Sequence, residues 1–317
     1  FRILSLTTFY SLAIYMCLLG LWFSQAMDIL TSQPSFDYLV NRLSVITYFL
    51  LVFSLPFTIW RETRGFVIYM NNWRQFELQF SQTTNRTLKL NVRKRSVILL
   101  VFSITFSFIL ETTYIILKRN FNVSRWLNNI YQTTLRYLLG SLFYLLCFAQ
   151  VRAAISVLRY FKLILVEYRV LWLRLSRLTQ QVGTCFCYTF GFYILYLFLN
   201  LTLCLYLSCA YTRKIKDIII NTETSFTSVL LLYVMCDAGH AVNAQVTGAF
   251  QEELLNMRNE PGHPDLIKEV RTCLYYMIFL QKINLITNLI HLKKSIFFQL
   301  TSALVTYLIV LLQFQFQ

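Results

Sequence analysis

Asp237 and His240 lie three residues apart inside a long apolar run, so on a helix they share a face that continues through Asn243 and roughly through Tyr233. An ionised carboxylate at bilayer depth needs a partner, and His240 or Arg152, itself within another apolar run, could supply one. Such a set can couple two helices, line a polar cavity or fix helix register. A second set ends the chain, where Thr306, Tyr307, five apolar residues, Gln313 and Phe314 read TYLIVLLQF. A glutamine amide costs free energy in lipid unless it faces protein or water. Gln299, Ser302, Thr306, Gln313 and Gln317 follow one another at helical intervals, with Ile309 or Val310 filling the gap, and Leu300, Leu304, Leu308 and Leu311 take the opposite face. Several copies around an axis would line a water path with that stripe and close it by dewetting at the aliphatic ring. Packing of the stripe against the same chain explains the spacing equally well.

Other polar side chains cluster nearer one end of their apolar runs. Glu111, Thr112, Thr113 and Tyr114 close one run, Asn200, Thr202, Tyr206 and Ser208 lie in another, and Thr224, Ser225, Thr227, Ser228 and Tyr233 open a third. Aromatic walls with hydroxyls, amides and one carboxylate would suit a small polar ligand such as a sugar. Metal chemistry and catalysis find no such support. The eight cysteines include no CxxC, Cys185 and Cys187 have no histidine near them in sequence, and no nucleophile stands beside Asp237 and His240. Neither a cofactor nor an enzyme activity is expected.

The elements that must position these groups follow from composition. Of 317 residues, 57% are hydrophobic and 14% charged, against roughly 25% charged in soluble domains. Apolar runs of about 20 residues alternate with charged segments, as bilayer-crossing helices require. The reading is an all-α polytopic membrane protein with seven transmembrane helices near 5–24, 43–60, 96–117, 137–158, 184–210, 224–246 and 295–316. The apolar segment near 274–290 is broken by Gln281, Lys282 and Asn284 and is expected outside the membrane. Most Lys and Arg fall in 61–95, 159–183 and 247–294, so the positive-inside rule sets an inner amino terminus and an outer carboxyl terminus. The sequon at Asn122 then faces outside as a glycosylation candidate. A net charge of +15 reads as attraction to anionic membrane lipid, with no nucleic-acid partner. The resulting division is 1–246 for six helices and the ligand bundle, 247–294 for a cytoplasmic loop and anchor helix, and 295–317 for the last helix.

TYLIVLLQF resembles the signature that closes the insect gustatory receptors, within the insect chemoreceptor family. The inner amino terminus, the long basic loop after the fourth span and the helix before the seventh agree in kind. The resemblance implies the insect chemoreceptor channel fold and a tastant-gated, non-selective cation channel at the plasma membrane of chemosensory neurons, for a sugar such as fructose or a bitter compound. It further implies a small-molecule tastant and permeating cations as partners, and three further subunits of the same or a related receptor. By motif position, Gln313 and Phe314 look like pore residues near the outer gate, Thr306 and Tyr307 like motif residues deeper in the helix, Val310 like part of the gate, and residues 264–294 like the anchor. Leu308 stands where the sweet-taste branch carries a glutamate, which sets the chain apart from that branch. A secondary transporter, or a seven-span receptor without its own pore, is the competing reading. The first would call for matched Gly or Pro breaks in two halves, and Pro56 has no matching partner in the later spans.

Overall fold

The computed structural model describes residues 36–88, 90–118, 123–160, 165–210, 215–259 and 294–313, together with Met16, Gly20 and Tyr275. Every regular element among them is helical: α1 (Phe36–Thr84), α2 (Val92–Lys118), α3 (Val123–Tyr160), α4 (Leu165–Cys185), α5 (Cys187–Ala210), α6 (Ile215–Asn243), a π-helical turn (Ala244–Ala249), α7 (Phe250–Asn259) and α8 (Lys294–Gln313). All of the expected first span but Met16 and Gly20, the sequon at Asn122, Phe314, Gln317 and most of the 264–294 anchor segment lie outside the described residues.

Four helical stretches among the described residues are long and apolar enough to cross a membrane: 92–116, 129–159, 187–209 and 221–255. The shorter apolar stretch 297–310 belongs to α8. In α2 the pattern is inside out. Ser103 and Ser107 are fully buried, while Ile98, Val101, Phe102, Ile104, Phe108 and Ile109 are exposed. The two serines return their hydroxyls to carbonyls one turn earlier, and Ser103 lies 3.5 Å from Ser141 of α3. Small polar residues at the helix contact and large apolar ones outside are the arrangement of a helix whose solvent is lipid.

The basic segments 61–95 and 159–183, expected as inner loops, are largely helix, and the reason is a pattern hidden among their charges. Tyr69, Trp73, Phe76 and Phe80 of α1 are buried, as are Leu171, Leu175, Leu178 and Val182 of α4. Both sets are spaced four, three, four, the seam of a helix pair. At 49 residues α1 is about 73 Å long, far beyond the roughly 30 Å of hydrocarbon, so its second half continues outside the lipid. Asn72 donates to Gln181 at 2.9 Å. Gly65 meets α4 so closely that an added Cβ would stand 3.2 Å from the Cys185 sulfur and 3.7 Å from its Cα. Contacts at 65 with 185 and at 72 with 181 make the pair antiparallel.

The core beneath the cluster described below is aromatic. Phe143 meets Phe190 edge-on at 4.9 Å, and Tyr193, Tyr196, Leu197 and Met235 fill the space between α5 and α6. Gly140 of α3 lets both helices approach: a Cβ there would lie 2.9 Å from Leu231 Cδ2 and 3.3 Å from the Tyr193 hydroxyl. Gly140→Val is therefore expected to overpack this layer by about 1–3 kcal/mol. Thermal unfolding of the purified variant, followed by size-exclusion fluorescence, measures it.

The helix that carries the sixth expected span continues past 246. Helix runs through the π turn into α7, and the Trp172 indole of α4 donates to the Val246 carbonyl at 2.9 Å. The same indole stacks on Phe250 at 4.9 Å with 9° between the rings. Helix α4 thus grips the chain where its hydrogen-bond pattern widens.

Candidate functional site

Helices α2, α3, α5 and α6 bring polar groups together at one end of the bundle. Arg136 of α3 is 4% exposed, and its own carbonyl accepts the Tyr193 hydroxyl of α5 at 2.6 Å. Glu111 of α2 accepts from Thr133 of α3 at 2.9 Å. The guanidinium of Arg136 and the carboxylate of Glu223 both act electrostatically on Glu111. On α6, Thr227 donates to Glu223, by way of its carbonyl at 2.8 Å and its carboxylate at 3.0 Å. Deeper, Asn200 of α5 donates to Ser228 at 3.1 Å and lies within 3.7 Å of the Cys204 sulfur. One cation, two carboxylates, an amide and several hydroxyls are thus held on four helices, no one of which carries the whole set.

Sequence reasoning found part of this set. Glu111, Asn200 and Thr227 belong to it, and Thr224 is half-buried one turn before Ser228, to whose hydroxyl its carbonyl is bonded. Thr112 is half-buried and spends its hydroxyl on the Phe108 carbonyl at 2.7 Å. Tyr233 departs from the group: it is 47% exposed and meets Phe297 of α8 edge-on at 5.9 Å. Arg136, Thr133 and Glu223 were missed because they fall where α3 and α6 were read as outer loop or span end. The buried-face spacing of Thr133, Arg136 and Tyr137 was the available signal.

The expected link among Arg152, Asp237 and His240 is not formed through Arg152. Its guanidinium is exposed and lies over the Phe148 ring at 5.3 Å. In this part of α3 the buried face belongs to Gln150, Ala153, Ala154 and Val157, which leaves Arg152 on the outer surface. On α6, Asp237 is half-buried and His240 exposed.

A polar node at the other end escaped sequence reasoning altogether. Glu62 of α1, 6% exposed, accepts the backbone N–H of Tyr188 at 2.7 Å and of Thr189 at 3.1 Å, and the Thr189 hydroxyl at 2.5 Å. Those amides open α5 just past Phe186, the single turn residue between α4 and α5, and a carboxylate is suited to the donors of a helix start. Arg61 adds a hydrogen bond to the Tyr188 hydroxyl at 2.9 Å while lying over its ring.

Helix α8 resolves its two faces. Leu304 is buried, Phe297, Leu300, Ala303 and Leu308 are half-buried, and Gln299, Ser302, Thr306, Val310 and Gln313 are exposed. Tyr307, though 58% exposed, touches Phe198 of α5 edge-on at 6.2 Å. The greasy back packs on α5 and α6, and the polar stripe turns away from its own chain. The Thr306 hydroxyl is satisfied by the Ser302 carbonyl at 3.1 Å, so among the described residues the stripe's demanding members are Gln299 and Gln313.

An inside-out helical bundle with a polar cluster at one end defines a polytopic membrane protein. Over residues 1–317 the sequence matches the family model described as 7tm Chemosensory receptor, and the chain belongs to that family. Gustatory and odorant receptor 24 of Anopheles gambiae is 32% identical over 295 residues, covering 86% of this chain and 63% of the relative. Gustatory and odorant receptor 21a of Drosophila melanogaster is 27% identical over 301 residues, covering 88% and 64%. The chain thus spans less than two thirds of the curated relatives it matches. The fold is that of the insect olfactory receptor OR5 from Machilis hrabei, solved in complex with eugenol: TM-score 0.59 at 14% identity, covering 94% of this chain and 88% of the other. The insect chemoreceptor fold expected from the last helix is the fold found.

Proposed function

We propose that this chain is a subunit of a small-molecule-gated, non-selective cation channel of the plasma membrane, whose last helix lines a pore shared with three further subunits. The observation that carries the reading is the direction of the α8 stripe. Gln299 and Gln313 face away from the subunit, and in a membrane such amides need water or another protein surface. A central water path meets that need with the same helix face in every copy. Residues 1–246 then carry the ligand bundle, 247–294 the cytoplasmic anchor and 295–317 the pore helix. Ligand binding at the cluster around Glu111, Arg136 and Asn200 acts only by its difference in affinity between closed and open bundles. The ligand is a tastant, with sugars and bitter compounds tried first. The names of the relatives widen the panel to odorants.

Whole-cell current from the full-length receptor, alone and with a related subunit, with G-protein signalling blocked, tests the channel. A rapid ligand-evoked current reversing near zero supports it. A ligand response carried only by second messengers, with no such current, overturns it. Within an active channel, Glu111→Gln and Thr227→Val are expected to raise the half-activating ligand concentration about tenfold, equivalent to about 1.4 kcal/mol, without moving the reversal potential. A changed reversal potential at constant ligand sensitivity would remove both residues from the ligand site.

A further inference from the structure

Away from the outer cluster and the last helix, two cationic side chains converge on one aromatic ring. Arg95, near the start of α2, places its guanidinium 3.9 Å from the centre of the Phe148 ring and bonds the Tyr144 hydroxyl at 3.2 Å. Arg152, one turn beyond Phe148 on α3, lies 5.3 Å from the same ring centre. The two charged groups therefore stand within about 9 Å of one another, a gap one phosphate can bridge by charge-assisted hydrogen bonds. Tyr144 and Phe148 stack nearly parallel, with 18° between them, and give the crevice an apolar wall. Arg93 and Lys94 add exposed charge at its mouth, and Arg159 continues the Arg152 face two turns on.

Among the described residues nothing acidic answers this charge. The single acid of α2, Glu111, lies near the opposite end of that helix, and α3 contains no Asp or Glu at all. Among the described residues neither Arg95 nor Arg152 is paired with a carboxylate. The crevice sits where α2 enters its apolar stretch and α3 leaves its own, which is headgroup depth. On the topology set by the basic segments, this is the inner leaflet, where anionic lipid collects.

We propose that Arg95 and Arg152, with Arg93 and Lys94 beside them, form a binding site for a phosphate-bearing anionic lipid headgroup of the inner leaflet. Guanidinium forks hold the phosphate oxygens while the Tyr144–Phe148 wall and the apolar outer face of α2 receive the lipid body. The site lies apart from the proposed ligand cluster and the α8 stripe, and stands or falls separately from the channel reading.

The full-length receptor in phosphatidylcholine nanodiscs, titrated with phosphatidylinositol 4,5-bisphosphate or phosphatidylserine and read by native mass spectrometry, tests it. Arg152→Gln, at an exposed position that leaves the buried face intact, is expected to weaken retention of one lipid per chain about tenfold, the scale of one charge-assisted hydrogen bond. Arg95→Gln combined with Arg152→Gln should abolish it, and Arg152→Lys should restore part of it. Arg174→Gln and Arg177→Gln, exposed on α4, serve as controls of equal charge change. Equal losses from either control and from Arg152→Gln would show a diffuse basic surface and overturn the site. Displacement of the lipid by millimolar inorganic phosphate or inositol trisphosphate would assign recognition to the phosphate group. Undiminished binding in Arg152→Gln, with either lipid, would also overturn it.

Discussion

Glu62→Ala is expected to strip the receptor of most of its folded, surface-delivered population. The carboxylate answers two backbone donors and a hydroxyl at a point 6% exposed. Each buried donor left unanswered costs about 1–3 kcal/mol, so the two amides alone put the loss on the order of 3 kcal/mol. Glu62→Gln should do much less damage. Its amide oxygen can take the Tyr188 and Thr189 N–H groups, while its NH2 donates to the Thr189 hydroxyl, whose proton then serves Thr58 at 3.1 Å. Surface biotinylation and size-exclusion fluorescence of both variants measure the contrast. Equal loss in Ala and Gln would mean that the negative charge, rather than acceptor geometry, holds α1 to α5.

Gln313→Glu is expected to change what the channel passes more than whether it assembles. The position is exposed at the end of α8, so no packing is disturbed, and each subunit would add one negative charge to the conduit. A carboxylate about 4 Å from a permeating cation contributes roughly 1 kcal/mol even at the dielectric of water, a several-fold bias per charge. Divalent over monovalent permeability should rise, read as a reversal-potential shift when external sodium is exchanged for calcium. Gln313→Leu should lower unit conductance by lengthening the dry section. Unaltered permeation in both variants at normal surface amount would take Gln313 out of the pore.

These two residues show what a sequence can and cannot reveal. The two faces of α8 were legible because amphipathicity is local: Leu300, Leu304 and Leu308 fall on one side by spacing alone, and that side packs. Glu62 was not legible, since its partners are more than a hundred residues away and it sits in a segment rich in arginine. The same charges concealed the Tyr69–Phe80 and Leu171–Val182 seams, although their four-three-four spacing was present. Asn200 and Thr227 were legible as members of the polar cluster because polar groups inside apolar runs stand out. Tyr233 was misplaced because a tyrosine reads equally well toward a cavity or a neighbouring helix.

The π turn at Ala244–Ala249 solves a problem of angular phase. Val242, Val246, Phe250 and Leu254 are all buried, four residues apart each time. In a straight α-helix every such step drifts by about 40°, so three steps would carry Leu254 about 120° off the side that Val242 occupies. The wider turn takes up that drift, and one continuous rod keeps a single greasy edge from the apolar stretch of α6 to the end of α7. Twisting of the first half of α6 therefore reaches Phe250 and Leu254 as rotation of the same edge, with Trp172 as the fixed mark against which it turns.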